Sequence, residues 1–533
     1  MTTEGSRLQP KERTPGDTNI QGWGFDLHPQ VFFISGGLII LFIVLTLSFK
    51  EQAEAVFSTT QELIADTTGW FLILVANIYL GVVVIIAFSK FGKIRIGGKD
   101  AKPEFSTFAW YAMLFSAGMG AGLLFWGIAE PISHFQTPPL GAEAGTGAAA
   151  QEAMGIIYFH WGLHGWGIYT LVGLSLAFFA FNRGLPLTIR SVFYPLLGEK
   201  IYEWPGNLID ILAVIATLFG LATSLGFGAQ QVNAGLNFIT GLPDNIVVQV
   251  ILVAIISGFA IISVVAGLDG GVRRLSEWNI YIAAAFLAFM FLIGPTLFLL
   301  DFFVQSLGYY IGILPTLSFW TETFEETNWQ NSWTLFYWTW WIAWSPFVGM
   351  FIARVSKGRT VREFVLGVLF LPSFLSFIWM SCFGGSALSL ALNDIGNLPE
   401  AIQENMATGL FVMLQQFPLT SFSSVIGLVL VITFFVTSSD SGSLVVANLS
   451  SGGKLDSPVL QRVFWAVIEG VVAAVLLLGG GLSALRVAVT TAGLPFAIVL
   501  LIMCFSLYQG LTEDWAELEA KQLTTKDLGE NKL

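Results

Sequence analysis

Charge is scarce in this chain. Asp, Glu, Lys and Arg make up 11% of its 533 residues, against 55% hydrophobic ones, and the mean hydropathy is +0.73. A soluble domain carries roughly a quarter of its residues charged, so a water-exposed globule is excluded. Cysteine is nearly absent. Cys382 and Cys504 lie far apart in apolar segments, which leaves no disulfide framework and no CxxC motif. Histidine occurs four times. His160 and His164 stand i, i+4 on one face of a helical pattern, a spacing that can hold a metal. No Cys or carboxylate joins them in sequence, so they read as packing or hydrogen-bonding partners beside Trp161, and the chain does not read as an enzyme. The net charge of −12, with an acidic stretch from Glu513 to Glu530, argues against nucleic acid and marks a solvated tail. The first thirty residues lack the apolar run of a cleavable signal.

Long apolar runs are abundant instead. Twelve segments of about twenty residues are centred near positions 40, 80, 117, 165, 217, 256, 288, 342, 374, 432, 470 and 496, the length that spans a hydrocarbon core. With the N-terminus inside, 22 of the 24 Lys and Arg fall in the termini and inner connections; only Lys50 and Arg486 fall outside. That asymmetry is the positive-inside bias. The expected class is an all-α membrane protein with both termini cytoplasmic, and the basic loops can meet anionic lipid.

After two leading spans, the other ten divide into five and five. The expected organisation is a cytoplasmic segment over 1–30, two leading helices over 31–106, a first repeat over 107–308, an external connection over 309–331, a second repeat over 332–510 and an acidic tail over 511–533. Each repeat is expected to open with a broken span. In the first, SAGMGAGLLFWG carries Gly118, Gly120, Gly122 and Gly127; in the second, WSPFVG carries Pro346 and Gly349. Paired broken helices point to a transporter site at an inverted repeat. Small residues also let helices pack closely, but GMGAG bares backbone on every side, and such carbonyls are tolerated at membrane depth only where they are buried or line a cavity. Met119, Gly120 and Gly122 are therefore candidates to face an ion or a substrate.

The stretch FYWTWWIAWSP puts Trp338, Trp340, Trp341 and Trp344 within seven residues, with Phe347 following. On a helix Trp340, Trp341, Trp344 and Phe347 share one broad face with Tyr337. HWGLHGWGIY adds Trp161, Trp166 and Tyr169, and its Gly162, Gly165 and Gly167 leave space beside the rings. Trp333 and Trp338 read as interface anchors. The deeper rings suit a methylated onium cation, which aromatic cages recognise with about 0.5–2 kcal/mol per contact.

These residues carry a resemblance. FYWTWWIAWSPFVGMFIARVSKGRTVREF resembles the signature of the betaine/carnitine/choline transporter family, and SAGMGAGLLFWGIAEP and HWGLHGWGIY are similar to its glycine-rich third and aromatic fourth spans. The resemblance runs over roughly residues 20 to 510. It implies secondary transport of onium compounds on a LeuT-type five-plus-five inverted repeat preceded by two helices, often as a homotrimer in a bacterial cytoplasmic membrane. It also implies substrate contacts from Trp161, Trp166, Tyr169, Trp340, Trp341, Trp344 and Phe347.

For the coupling ion, sodium-coupled members use the positions of Ser116, Met119 and Phe434 (carbonyls) and of Thr437 and Ser438 (hydroxyls). Hydroxyls with unwound carbonyls suit sodium, a hard cation, although Ser and Thr in membrane helices often bond back to the preceding turn. A second sodium site in the family uses fifth-span hydroxyls; here ATLFGLATSLG keeps Thr217 but has Leu221 one turn later. Choline carriers tend to place a carboxylate in the glycine-rich segment, where this chain has Gly122 and no acid until Glu130. A neutral cage suits a ligand with its own carboxylate, and glycine betaine, ectoine and dimethylsulfoniopropionate all qualify. Glu469 lies mid-span, where acids are functional suspects, and keeps proton coupling open; Asp440 reads as a local cap. Exchange of two onium compounds needs no ion. A channel is disfavoured because the aromatic cage obstructs a continuous polar path.

Overall fold

The computed structural model describes residues 14–118, 120–266, 273–325 and 327–530. A short hairpin, β1 (Ile20–Gly22) and β2 (Phe25–Leu27), opens the described chain with Gln21 opposite Asp26. Its two-residue turn has positive φ at both Trp23 (55°) and Gly24 (82°), the combination that matches strand twist. Helices account for nearly all the rest. They are α1 (Pro29–Ser48), α2 (Lys50–Phe88), α3 (Thr107–Gly118), α4 (Ala121–Gln136), α5 (Gly147–Trp161), α6 (Leu163–Phe181), α7 (Tyr194–Leu197), α8 (Trp204–Thr240) and α9 (Ile246–Ala266). There follow α10 (Arg273–Ile293), α11 (Thr296–Phe319), α12 (Trp329–Ser332), α13 (Thr334–Val355), α14 (Val361–Leu392), α15 (Leu398–Glu404), α16 (Gly409–Leu414), α17 (Thr420–Ser450) and α18 (Val459–Glu530). An apolar segment in lipid has no water to satisfy its backbone, and a helix closes those bonds internally.

Among the described residues ten helices are long and apolar enough to cross a membrane. These ten and the twelve expected segments do not correspond one to one: the ten take α5 and α6 together, leave out α13, which holds the segment near 342, and include α11, on which no expected segment is centred. The segment near 117 is split into α3 and α4, each too short alone. The segments near 470 and 496 form one helix, α18, bent where Gly480 and Gly481 leave helical φ/ψ. Helix α11 spans Thr296–Phe319 and runs through the boundary drawn between 308 and 309. The acidic tail, read as a solvated end, continues α18 as helix to Glu530.

The helix breaks fall differently from expectation. The third span is interrupted as expected: α3 stops at Gly118 and Gly120 is extended (φ −125°, ψ −167°) before α4 begins. The second expected break does not occur, for α13 runs through Pro346. Proline removes the N–H that would bond the carbonyl four residues back. Here the Ser345 hydroxyl donates to that carbonyl, Ile342 O, at 2.7 Å. A break not read from the sequence divides the fourth span at Gly162 (φ −105°, ψ −137°). A Cβ there would meet Tyr158 O at 2.4 Å and the Phe377 ring at 2.8 Å, so glycine is required.

Helix α13 occupies the centre, packed against α6, α8 and α18, while α4 lies against α5 and α14. Tyr337, Trp338, Ile342, Ala343 and Val348 on α13 are almost fully buried. The two broken spans therefore deliver their irregular backbone beside the most aromatic helix.

Candidate functional site: an aromatic cage

The break at Gly162 decides how the fourth-span rings present themselves. Trp161 ends α5, while Trp166 and Tyr169 lie on α6. All three converge on Trp341 of α13, with ring centroids at 5.9 Å from Trp161, 5.8 Å from Trp166 and 4.7 Å from Tyr169. Trp340 stands edge-on to Trp161 at 6.1 Å and stacks on Phe336 at 5.6 Å. Trp344 and Phe347 pair with each other at 5.5 Å, one turn further along α13. Trp161, Trp166, Tyr169, Trp340, Trp341 and Phe347 are all buried.

The polar edges of these rings are sorted. Trp161 Nε1 donates to Glu130 Oε2 at 3.1 Å, Trp340 Nε1 to Ser224 Oγ at 3.1 Å, and Trp341 Nε1 to His160 O at 3.1 Å. Their N–H groups are turned into the protein, and the rings of Trp340 and Trp341 each meet Trp161 edge to face. Trp166 and Trp344 are different: among the described residues neither buried indole nitrogen has a hydrogen-bond partner. The arrangement can thus offer aromatic faces to a cation and two indole donors to an anion.

The glycines divide into filled and open positions. Space at Gly162, Gly165 and Gly167 is taken by protein, since a Cβ at Gly165 would lie 2.4 Å from Trp341 and one at Gly167 3.3 Å from Leu80. At Gly122 a Cβ would lie 2.9 Å from Trp340 and 3.2 Å from Trp161, whereas among the described residues nothing stands within 4 Å of a Cβ at Gly120. The open backbone beside the cage is therefore at Gly120. Met119 lies outside the described residues, and Ser116 is placed only as backbone near the end of α3.

On α17 the hydroxyl of Thr437 donates to Thr433 O at 3.0 Å and Phe434 O at 3.1 Å, and Asn279 Nδ2 stands 3.5 Å from it. Phe434, Thr437 and Ser438 are half-buried and sit on continuous helix. Thr217 bonds back to Ala213 O at 2.7 Å. Leu221 fills the notch left by Gly442, where a Cβ would be 2.3 Å away, so packing occupies the place of the second hydroxyl. Glu469 is buried and accepts from Ser439 Oγ at 3.1 Å, and Asp440 is buried as well.

Several sequence readings are corrected here. His160 and His164 both pack against Trp338, but the helix breaks between them at Gly162 and they take different hydrogen-bond partners. His160 turns to Glu130 and Thr334; His164 turns to Asn77 at 3.0 Å and stacks on Trp338. Trp333 and Trp338 are buried in the aromatic core rather than anchored at an interface. Arg486, assigned to an outer loop, sits with its guanidinium 5.1–5.2 Å from the rings of Phe336, Trp126 and Trp333. Glu130 was missed as a site residue. Glu130, His134 and His160 bring ligand atoms within 4.8 Å of one another, the proximity a metal needs. Both carboxylate oxygens, however, already accept: Oε1 from His160 Nδ1 at 2.6 Å and Oε2 from Trp161 and the Tyr337 hydroxyl. The cluster is a hydrogen-bonded hub. Its sequence signal was an acid and a histidine at i, i+4 just after the glycine-rich break.

Comparison with known proteins identifies this architecture. Residues 30–516 match the model of the betaine/carnitine/choline family transporters. The chain is 47% identical over 508 residues to a glycine betaine/proline/choline transporter of Vibrio parahaemolyticus, covering 92% of this chain and 91% of that one. It is 46% identical over 511 residues to glycine betaine transporter 1 of the same organism, covering 95% and 97%. It is 44% identical over 499 residues to a glycine betaine transporter of Acinetobacter baylyi, covering 93% and 75%. A multi-pass helical membrane protein with this match is a transporter and not an enzyme, and the chain belongs to the betaine/carnitine/choline transporter family.

Proposed function

We propose that this transporter imports a quaternary-ammonium or related zwitterionic solute, glycine betaine-like, by sodium symport with alternating access. The observation that carries the substrate class is the convergence of Trp161, Trp166, Tyr169 and Trp341, with the N–H groups of Trp161, Trp340 and Trp341 tied away from the rings. The trimethylammonium group would rest among these faces, each contact contributing about 0.5–2 kcal/mol. The solute's own carboxylate would take the unpartnered N–H of Trp166 or Trp344. Gly122 leaves no room for an acid against Trp340, which favours a ligand that brings its own negative charge. The names of the relatives, which include glycine betaine, proline and choline, agree with this class.

The sodium site would use carbonyls of Ser116, Met119 and Phe434 with the hydroxyls of Thr437 and Ser438. The half-buried Thr437 hydroxyl, whose oxygen lies 3.1 Å from the Phe434 carbonyl, supports this. The architecture we attach to the function is twelve spans with a LeuT-type five-plus-five repeat after two leading helices, assembled as a homotrimer in a bacterial cytoplasmic membrane with both termini inside. The buried Glu469, held by Ser439, supports proton coupling as a second reading.

Uptake of radiolabelled glycine betaine into proteoliposomes separates these. Uptake driven by a sodium gradient alone, and lost in Thr437→Ala with Ser438→Ala, fits the symport. Uptake driven only by a proton gradient overturns sodium and moves the coupling to Glu469.

A further inference from the structure

Glu130 is buried at 0% exposure on α4, ten residues beyond the extended Gly120. A carboxyl at membrane depth is costly and is retained where it has a task. The donors that face it are chosen from the walls of the cage. Trp161 gives its indole N–H at 3.1 Å, and Tyr337, which packs edge-on to Trp161 at 5.7 Å and lies 6.2 Å from Trp340, gives its hydroxyl. His160 gives Nδ1–H at 2.6 Å, and its own backbone carbonyl in turn receives the N–H of Trp341. His134 Nε2 stands 3.4 Å from the same carboxylate oxygen, and Arg486 lies over the neighbouring rings of Trp126, Trp333 and Phe336.

An indole can occupy its place in two flipped orientations that differ little in volume. With its N–H on Glu130, the far edge of Trp161 (Cη2) lies against Gly122 and opposite Trp340. The carboxylate therefore selects which edge faces the glycine-rich segment and fixes the plane of the ring. A carboxylate can do this for three donors at once because both its oxygens only accept. A glutamine at this position has one acceptor oxygen and presents its own N–H to the donors.

We infer that Glu130 is a positioning residue of the onium cage, holding Trp161 directly and the Trp341 wall through His160. This rests on the cage reading above. Because Glu130 rides on α4, displacement of that helix about Gly120 is delivered to Trp161, which links the glycine-rich break to the aromatic site.

The test is a double-mutant cycle on the purified full-length protein in detergent and in proteoliposomes, read by glycine betaine binding and by initial uptake rate. Trp161→Phe keeps a π-face and removes the N–H; Glu130→Gln removes the acceptor. Each single variant is expected to raise Kd and KM by about ten-fold, within the range of an aromatic contact. The maximal rate should stay within about two-fold, and the double variant should bind no worse than the weaker single one, the signature of two groups acting as a unit. Additive losses, or a Kd unchanged in Glu130→Gln, overturn the proposal. Where Glu130→Gln does not fold, Trp161→Phe decides alone, since a Kd equal to wild type means the N–H bond orients nothing. Trp341→Ala separates the two readings. If it weakens binding by about two-fold or more while Glu130→Gln does not alter it, the cage stands and the positioning role falls; if it leaves binding intact, the cage falls and the positioning role with it.

Discussion

Gly122 and Trp340 touch with no room between them: a Cβ at Gly122 would lie 2.9 Å from Cη2 of Trp340. Trp340 cannot swing aside freely, because its N–H is held by Ser224 Oγ at 3.1 Å. Gly122→Ala is expected to displace the ring and raise KM for an onium solute by about ten-fold while the protein stays folded, since overpacking costs about 1–3 kcal/mol. Uptake kinetics beside a thermal melt check this. An unchanged KM would mean that the Trp340 edge is not part of the substrate wall.

Trp341 is the ring on which Trp161, Trp166 and Tyr169 converge. Trp341→Ala removes one π-face from the cage and is expected to weaken glycine betaine binding by about 2- to 30-fold, the equivalent of a single cation–π interaction. Trp341→Phe should recover part of that affinity. Titration of tryptophan fluorescence with the solute measures both.

Ser345 compensates for Pro346 by donating to Ile342 O at 2.7 Å. Ser345→Ala leaves that carbonyl without the hydroxyl and is expected to cost about 1 kcal/mol of stability. In a Pro346→Ala background, where the backbone N–H is restored, the same change should cost much less. Melting temperatures of the four proteins in one detergent give the coupling.

Outside the membrane-spanning helices, Lys454 Nζ meets Asp26 Oδ2 at 2.6 Å and ties the β-hairpin to the segment between α17 and α18. Burial pushes the Asp26 carboxyl up, but the bonds from Lys454, Asn19 and Gln21 outweigh it and hold it below the usual 3.8. A carboxyl depressed on folding contributes stability that is present above its unfolded value and lost as pH falls through the folded one. The amide protection factors of residues 20–27, that is exchange relative to the intrinsic rate at each pH, are therefore expected to stay constant from neutral pH down to about 4 and to fall below it. Asp26→Asn should exchange faster at neutral pH and show no such step.

Much of the helical framework was legible because lipid leaves a chain few options. An apolar run of some twenty residues must close its own backbone bonds, and the helices near positions 40, 80, 217, 256, 374 and 432 follow from that. The Gly118–Gly120 break was legible because three alternating glycines have no side chains to shield a helix. The Pro346 break was misread because a local hydroxyl can stand in for the missing N–H, and sequence does not say which way a serine will turn. The Gly162 break was missed for the opposite reason. One glycine in a helix is ordinary, and only the nearness of Tyr158 O and Phe377 makes this one obligatory.

The aromatic members of the site were named from composition and from resemblance, since so many indoles at membrane depth have few uses. Their directions were not. Whether an indole presents its face or its N–H depends on which acceptor lies behind it, and those acceptors come from distant segments: Glu130 for Trp161, Ser224 for Trp340, His160 O for Trp341.

The sequence by itself determined that this chain lives in a membrane, that its spans are helices, and that its fourth and eighth spans are rich in the rings an onium ligand prefers. Those properties depend on local hydropathy and residue type. Only the tertiary structure decided that an acid beyond the glycine-rich segment becomes the hub behind the cage, that a basic residue read as external is sandwiched among rings, and that two histidines a turn apart part company. Each depends on contacts between residues far apart in the chain. In a low-dielectric interior a buried charge or N–H settles wherever the packed fold brings it a partner.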